Sequence, residues 1–182
     1  MDRPTPLLIL GLGNLLLGDD GLGVAAVRQL LERYEAPAGV RVLDGGTLGL
    51  SLLPHLEDAE RAILVDAISD DAPVASFVRL EGEDVGPAVA ARLSPHQIGV
   101  SDLLEGARWL GRSPDVVLLL GLVPGSIELG LDRSPAVEAS LPELVRRVVE
   151  EARALGFPFR AREDDAPLAE DHTADGTAPL GL

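Results

Sequence analysis

The chain has 182 residues, enough for one domain with a full core, and thirty Asp and Glu against fifteen basic residues leave a formal charge of −15. Every basic residue is Arg and there is no Cys, which excludes a Walker-type phosphate loop, a Schiff-base lysine, a Ser-Lys dyad, a thiol nucleophile, an iron–sulfur cluster and any disulfide. So acidic a chain, with five aromatic residues and no Arg stripe, does not suit nucleic acid; with no apolar run of the ~18 residues a membrane span needs and no basic leader, a cytoplasmic protein without membrane contact is expected.

Residues 7 to 12 (LLILGL) read as a buried strand ending in Gly, and Gly21 to Tyr34 carry apolar residues at helical spacing. The cycle repeats with a strand over Val40 to Leu43, a helical stretch over Thr47 to Leu56 and a strand over Ala62 to Val65 ending at Asp66. Ala75 to Leu80 suggests a further strand, close enough in the chain to pair antiparallel with the one before it. Ile98 to Leu110 then reads as a helix, Val116 to Leu122 as the most continuous apolar strand, and Val137 to Leu155 as a long helix that Pro142 either kinks or starts. Short apolar runs alternating with amphipathic helices predict a three-layer α/β fold, a twisted and mostly parallel five-stranded sheet between helices. The composition changes after Gly156, so a domain over 1–157 and a disordered acidic tail over 158–182 are expected.

In such sheets ligands bind beyond the carboxyl ends of the strands. The first strand delivers Gly11-Leu12-Gly13-Asn14 and then Asp19-Asp20-Gly21; the second delivers Asp44-Gly45-Gly46-Thr47, and the third Asp66. The glycine turn resembles a dinucleotide fingerprint, but Leu16 stands where that motif requires its third Gly, which disfavours a dinucleotide. Of the two acids, Asp19 is assigned to cap the helix near Gly21, leaving Asp20 to face the crevice. Asp66 follows four apolar residues, so its carboxylate must be solvated, paired, bonded to turn amides or bound to a cation. Asp44 either braces its own turn or lines a loop whose glycines admit something closely.

Among the histidines, His172 lies in the tail and His55 in an amphipathic helical stretch. His96 differs, because Ser94-Pro95-His96-Gln97 fits a capping box that places the ring in the first turn of a helix, where the dipole favours neutral imidazole; Ser101 is a rival start. Asp20, Asp66 and His96 make a two-carboxylate, one-imidazole set suited to Ni, Zn, Mn or Fe, although as spacing alone the set has low specificity. No G-x-S-x-G elbow, H-E-x-x-H or aspartic-protease D-T-G is present, so any hydrolase chemistry here is metal-assisted.

These residues sit in segments ILGLGNLLLGDDGLGV (9–24), VLDGGTLGLSLL (42–53), ILVDAI (63–68), SPHQIGVSDLL (94–104) and LGLVPGSIELGLDRSP (120–135). In order and spacing they resemble the hydrogenase maturation proteases, endopeptidases that trim the C-terminus of a [NiFe]-hydrogenase large-subunit precursor. The resemblance implies Ni²⁺ carried by the substrate, another divalent cation being possible, with Asp20, Asp66 and His96 as its ligands and as the catalytic set. Asp20 holds a position that is Glu or Asp in the family. The resemblance also implies substrate contacts at Asn14, Asp44, Gly45, Gly46 and Thr47. A non-enzymatic nickel chaperone of the same precursor, a peptidyl-tRNA hydrolase with a GLGN strand exit and a structural α/β module are the other readings; the −15 charge opposes the second.

Overall fold

The computed structural model describes residues 5–90 and 100–162, the side chains of 89, 90 and 100–103 excepted. Strands β1 (Leu7–Leu12), β2 (Tyr34–Glu35), β3 (Val40–Gly46), β4 (Arg61–Ala67), β5 (Phe77–Glu81), β6 (Val116–Leu122) and β7 (Arg160–Ala161) alternate with helices α1 (Leu22–Arg33), α2 (Leu53–Glu57), α3 (Val85–Ala90), α4 (Val100–Trp109) and α5 (Pro135–Ala154). The main sheet has the order β3-β1-β4-β6-β5, with the first four strands parallel and β5 antiparallel to β6. This is the expected five-stranded, mostly parallel sheet. The antiparallel strand pairs differently from the sequence expectation: both sides of β4 are taken by β1 and β6, so β5 closes the outer edge beside β6.

Alternation along the central strands divides the core into two. Leu7, Ile9, Ile63, Val65, Leu118 and Leu120 pack against α1 and α5, whereas Leu8, Leu10, Leu64 and Leu119 pack against Leu52, Leu56, Val85 and Leu104 from the α2, α3 and α4 side. Within the helix expected over Val137 to Leu155, Val137, Leu141, Leu144, Val145, Val148 and Ala152 form the enclosed face of α5. Pro142 lies inside this helix and does not start it. Ser101 likewise lies within α4.

The chain remains part of the fold beyond the boundary expected at 157. β7 pairs antiparallel with β2, Arg162 N–H donates to the Arg33 carbonyl at 2.8 Å, and Phe157 and Phe159 pack on the core. Aromatic packing and a short ladder hold 157–162, which composition did not reveal; the remainder of the expected tail lies outside the described residues.

From β1 the chain turns outward to β3, and from β4 it leads to the opposite half of the sheet, so the switch point falls between β1 and β4. Helix α1 sits almost on the backbone there. A methyl group on Gly23 would stand 2.1 Å from the Val65 carbonyl oxygen and 2.5 Å from that of Leu12, and one on Gly11 would stand 2.4 Å from the Gly23 carbonyl oxygen. The close packing that Leu16 cannot supply is made by Gly11 and Gly23.

Gly23→Ala is therefore expected to lower stability by about 3 kcal/mol in urea unfolding, since the obstructing atoms are backbone. Gly86→Ala, where an added methyl has nothing within 4 Å, should change it by less than about 1 kcal/mol.

Candidate functional site

Two carboxylates meet the carboxyl end of the sheet at the switch point. Asp20 lies in the 3₁₀ turn Gly18–Gly21 between β1 and α1, and this turn packs against β4. Asp66 is the penultimate residue of β4, opposite Gly121 of β6. Asp20 is 4% exposed and Asp66 1%, so both are shielded where sequence position alone suggested an open rim. One oxygen of Asp20 accepts the Asn14 N–H at 2.8 Å, and Asp66 Oδ1 accepts the N–H of Ala67 at 2.9 Å. By strand alternation Asp66 shares its face with Ala62 and Leu64, the face covered by the α4 layer. The segment entering α4 contains His96, which lies outside the described residues together with Ser94 and the expected capping box. Among the described residues no group of three His, Cys, Asp or Glu forms a metal-binding cluster.

Asp19 does something other than cap α1, whose N-terminus has no side-chain cap. Fully buried, its carboxylate accepts N–H bonds from Gly125 at 2.7 Å, Ser126 at 3.0 Å and Ser134 at 2.7 Å, and the Ser134 hydroxyl donates to it at 2.8 Å. Burial pushes its pKa up, but the Ser134 backbone and hydroxyl bonds with those from Ser126 and Gly125 outweigh it and hold the group below the usual carboxylate value. Backbone pairs extend the same seam: Gly18 N–H to Gly130 O at 2.9 Å, Gly130 N–H to Leu16 O at 2.9 Å, and Asp19 N–H to Ser126 O at 2.9 Å. Since β4 lies between β1 and β6, this seam ties the loops on either side of the strand that ends at Asp66-Ala67. Sequence reading missed the role of Ser134. Its signal was the Ser134-Pro135 pair at a helix start, but nothing local says that the hydroxyl serves Asp19.

The Asp44–Thr47 segment divides by function. Asp44 braces α1 and not its own turn, because Arg28 donates to Asp44 Oδ2 from Nε at 3.0 Å and Nη2 at 2.7 Å. Both side chains are partly exposed, so the pair contributes no more than about 1 kcal/mol. The close approach at Gly45 is internal: an added methyl would stand 2.7 Å from Leu10 Cδ1 and 3.2 Å from Leu52 Cδ1. Gly46 is different, with φ +44°, its carbonyl taking the Gly13 N–H at 3.1 Å and only Asp44 Oδ1, at 3.6 Å, near where a methyl would stand; Thr47 beyond it is exposed. Asn14 is half-buried, and its Oδ1 accepts the Leu16 N–H at 3.0 Å, closing the loop that leaves β1. His55 stands apart from this rim, with Nδ1 3.3 Å from Arg41 Nη1 near the start of β3.

Sheet order and rim together define an open α/β protein whose candidate chemistry rests on carboxylates at the switch point. A family model described as hydrogenase maturation protease matches residues 24–151. The chain is 36% identical over 159 residues to the hydrogenase 2 maturation protease of Escherichia coli K12, covering 86% of this chain and 96% of that one. It is 38% identical over 157 residues to the hydrogenase expression/formation protein HupD of Rhodobacter capsulatus, covering 85% and 75%. Its fold superposes on the E. coli hydrogenase maturating endopeptidase HybD with a TM-score of 0.83 at 34% identity, covering 87% and 99% of the two chains. The [NiFe] hydrogenase maturation protease HybD of Thermococcus kodakarensis gives 0.65 at 33%, covering 81% and 99%. The chain belongs to the hydrogenase maturation protease family. Among the described residues no helix is long and apolar enough to cross a membrane.

Because the folded state depresses the Asp19 pKa, the stability it contributes is complete above the unfolded value of about 3.9 and is lost as pH falls through the lower folded value. Urea midpoints followed from pH 7 to pH 2 should fall more steeply below about pH 4 for the wild type than for Asp19→Asn. Asp19→Ala, which strands three partly buried N–H groups and the Ser134 hydroxyl, should cost about 3 kcal/mol at pH 7.

Proposed function

We propose that this protein is the endopeptidase that removes the C-terminal peptide of a [NiFe]-hydrogenase large-subunit precursor after nickel insertion, and that Asp20, Asp66 and His96 recognise the nickel the precursor brings. The observation that carries the reading is the pair of buried carboxylates, Asp20 and Asp66, on neighbouring elements at the switch point. Family membership supports the protease, and the absence of Cys and of a serine-nucleophile motif leaves carboxylate chemistry as the available route. The −15 charge opposes the tRNA-hydrolase alternative.

In this reading the reaction is hydrolysis of one peptide bond. Water adds to the scissile carbonyl carbon and its proton passes to the departing amine as the C–N bond breaks, with a carboxylate of Asp20 or Asp66 as the alternative general base when it is not on the metal. The substrate's nickel, its shell completed by the three side chains, polarises the carbonyl or lowers the pKa of the attacking water. Buried carboxylates suit this task because a cation is attracted more strongly in surroundings of low dielectric than in bulk water. In this scheme Asn14 and the Asp44-Gly45-Gly46-Thr47 segment border the substrate, with Thr47 offering the exposed side.

Purified protein incubated with nickel-loaded precursor should shorten it, as read by mass spectrometry, and leave nickel-free precursor intact. Asp66→Asn and His96→Ala should each slow processing about 100-fold or more. Equal cleavage of both precursors would remove nickel sensing, full activity of His96→Ala would remove the site, and nickel binding with unchanged precursor length would favour the chaperone.

A further inference from the structure

Six of the ten large apolar side chains exposed among the described residues lie on the segments leaving β1, β3 and β6, at the same end of the sheet as Asp20 and Asp66: Leu16 (56%), Leu48 (59%), Leu50 (63%), Ile127 (44%), Leu129 (86%) and Leu131 (72%). Four of them are brought together by the seam. Gly130, flanked in sequence by Leu129 and Leu131, bonds through N–H to Leu16 and through its carbonyl to Gly18, and Leu17 bridges Gly130. Asp19 holds the same segment through Gly125 and Ser126. A loop held down by a buried carboxylate yet presenting its leucines to water is shaped as a binding surface, because exposing that apolar area has a cost that only a partner recovers.

From this placement we infer that Leu16, Ile127, Leu129 and Leu131 form a docking surface for the hydrogenase precursor, taking an apolar segment that carries basic residues; the inference rests on the function proposed above. Continuity decides the occupant, since Leu16 stands two residues before the turn that carries Asp20, and Gly130, between Leu129 and Leu131, bonds to Leu16 and Gly18, so a protein presenting a peptide bond to Asp20 and Asp66 lies against the patch. The patch is edged by the exposed acids Glu128 and Asp132, while Arg133 is drawn to Glu138 at 2.6 Å. An apolar surface edged by acids on a chain of charge −15 favours a basic, apolar segment and repels a second copy of itself.

The test measures binding to immobilised nickel-loaded precursor alongside processing. Leu129→Glu with Leu131→Glu should weaken Kd about tenfold or more and raise KM with kcat within about twofold of wild type. Glu128→Arg with Asp132→Arg should weaken Kd severalfold, whereas Trp109→Glu, at an 89% exposed residue on α4, should change nothing. Unchanged affinity of the leucine pair, absence of binding by the wild type, or dissociation of a wild-type dimer by the leucine substitutions would overturn the docking surface. An unmoved charge variant would overturn the basic partner. Affinity that depends on the leucines while precursor length never changes would support the surface and overturn the proteolytic reading instead.

Discussion

The carboxylate of Asp19 joins segments more than a hundred residues apart, accepting three backbone N–H groups and a hydroxyl from the β6–α5 connection while it stands in the turn after β1. Burying an ionised carboxylate is costly unless such donors surround it, so the two loops are ordered together or not at all. Because β4 runs between β1 and β6, the resulting seam ties the loops on either side of the strand that ends at Asp66-Ala67. The position of the turn that carries Asp20 and the presentation of Leu129 and Leu131 both depend on that one carboxylate finding its donors.

A second constraint is the distance between α1 and the sheet. Gly11 and Gly23 let the helix approach the β1 and β4 backbone within the radius of a methyl group. That approach brings the turn carrying Asp19 and Asp20 down onto β4. The glycines of the β1 exit thus set the site by allowing contact between two stretches of backbone, a different use from the phosphate cradle that the G-x-G pattern first suggests.

The rim divides between residues that hold it together and residues left open to solvent. Asp19, the Asn14 side-chain oxygen, Gly45 and the Asp44–Arg28 pair serve the first purpose. Thr47 and the exposed leucines keep open surface. Residue type did not separate them, since Asp19 and Asp20 are neighbours of identical chemistry, yet Asp19 draws its donors from the β6–α5 connection and Asp20 accepts one from Asn14.

Periodicity was sufficient for the five main strands, the long helix α5 and the parallel architecture, because alternation, helical spacing and the direction of parallel strands are local or topological rules, and strand-end position is what made Asp20 and Asp66 candidates. The family was legible for the same reason, its motifs lying at successive strand ends. The partner of β5, the path of the chain through 157–162, the role of Gly23 and the donors of Asp19 came only from the tertiary structure. Each depends on a contact between residues far apart in the chain, and hydrogen-bond donors, sheet edges and backbone clearances exist only once those segments have been brought together.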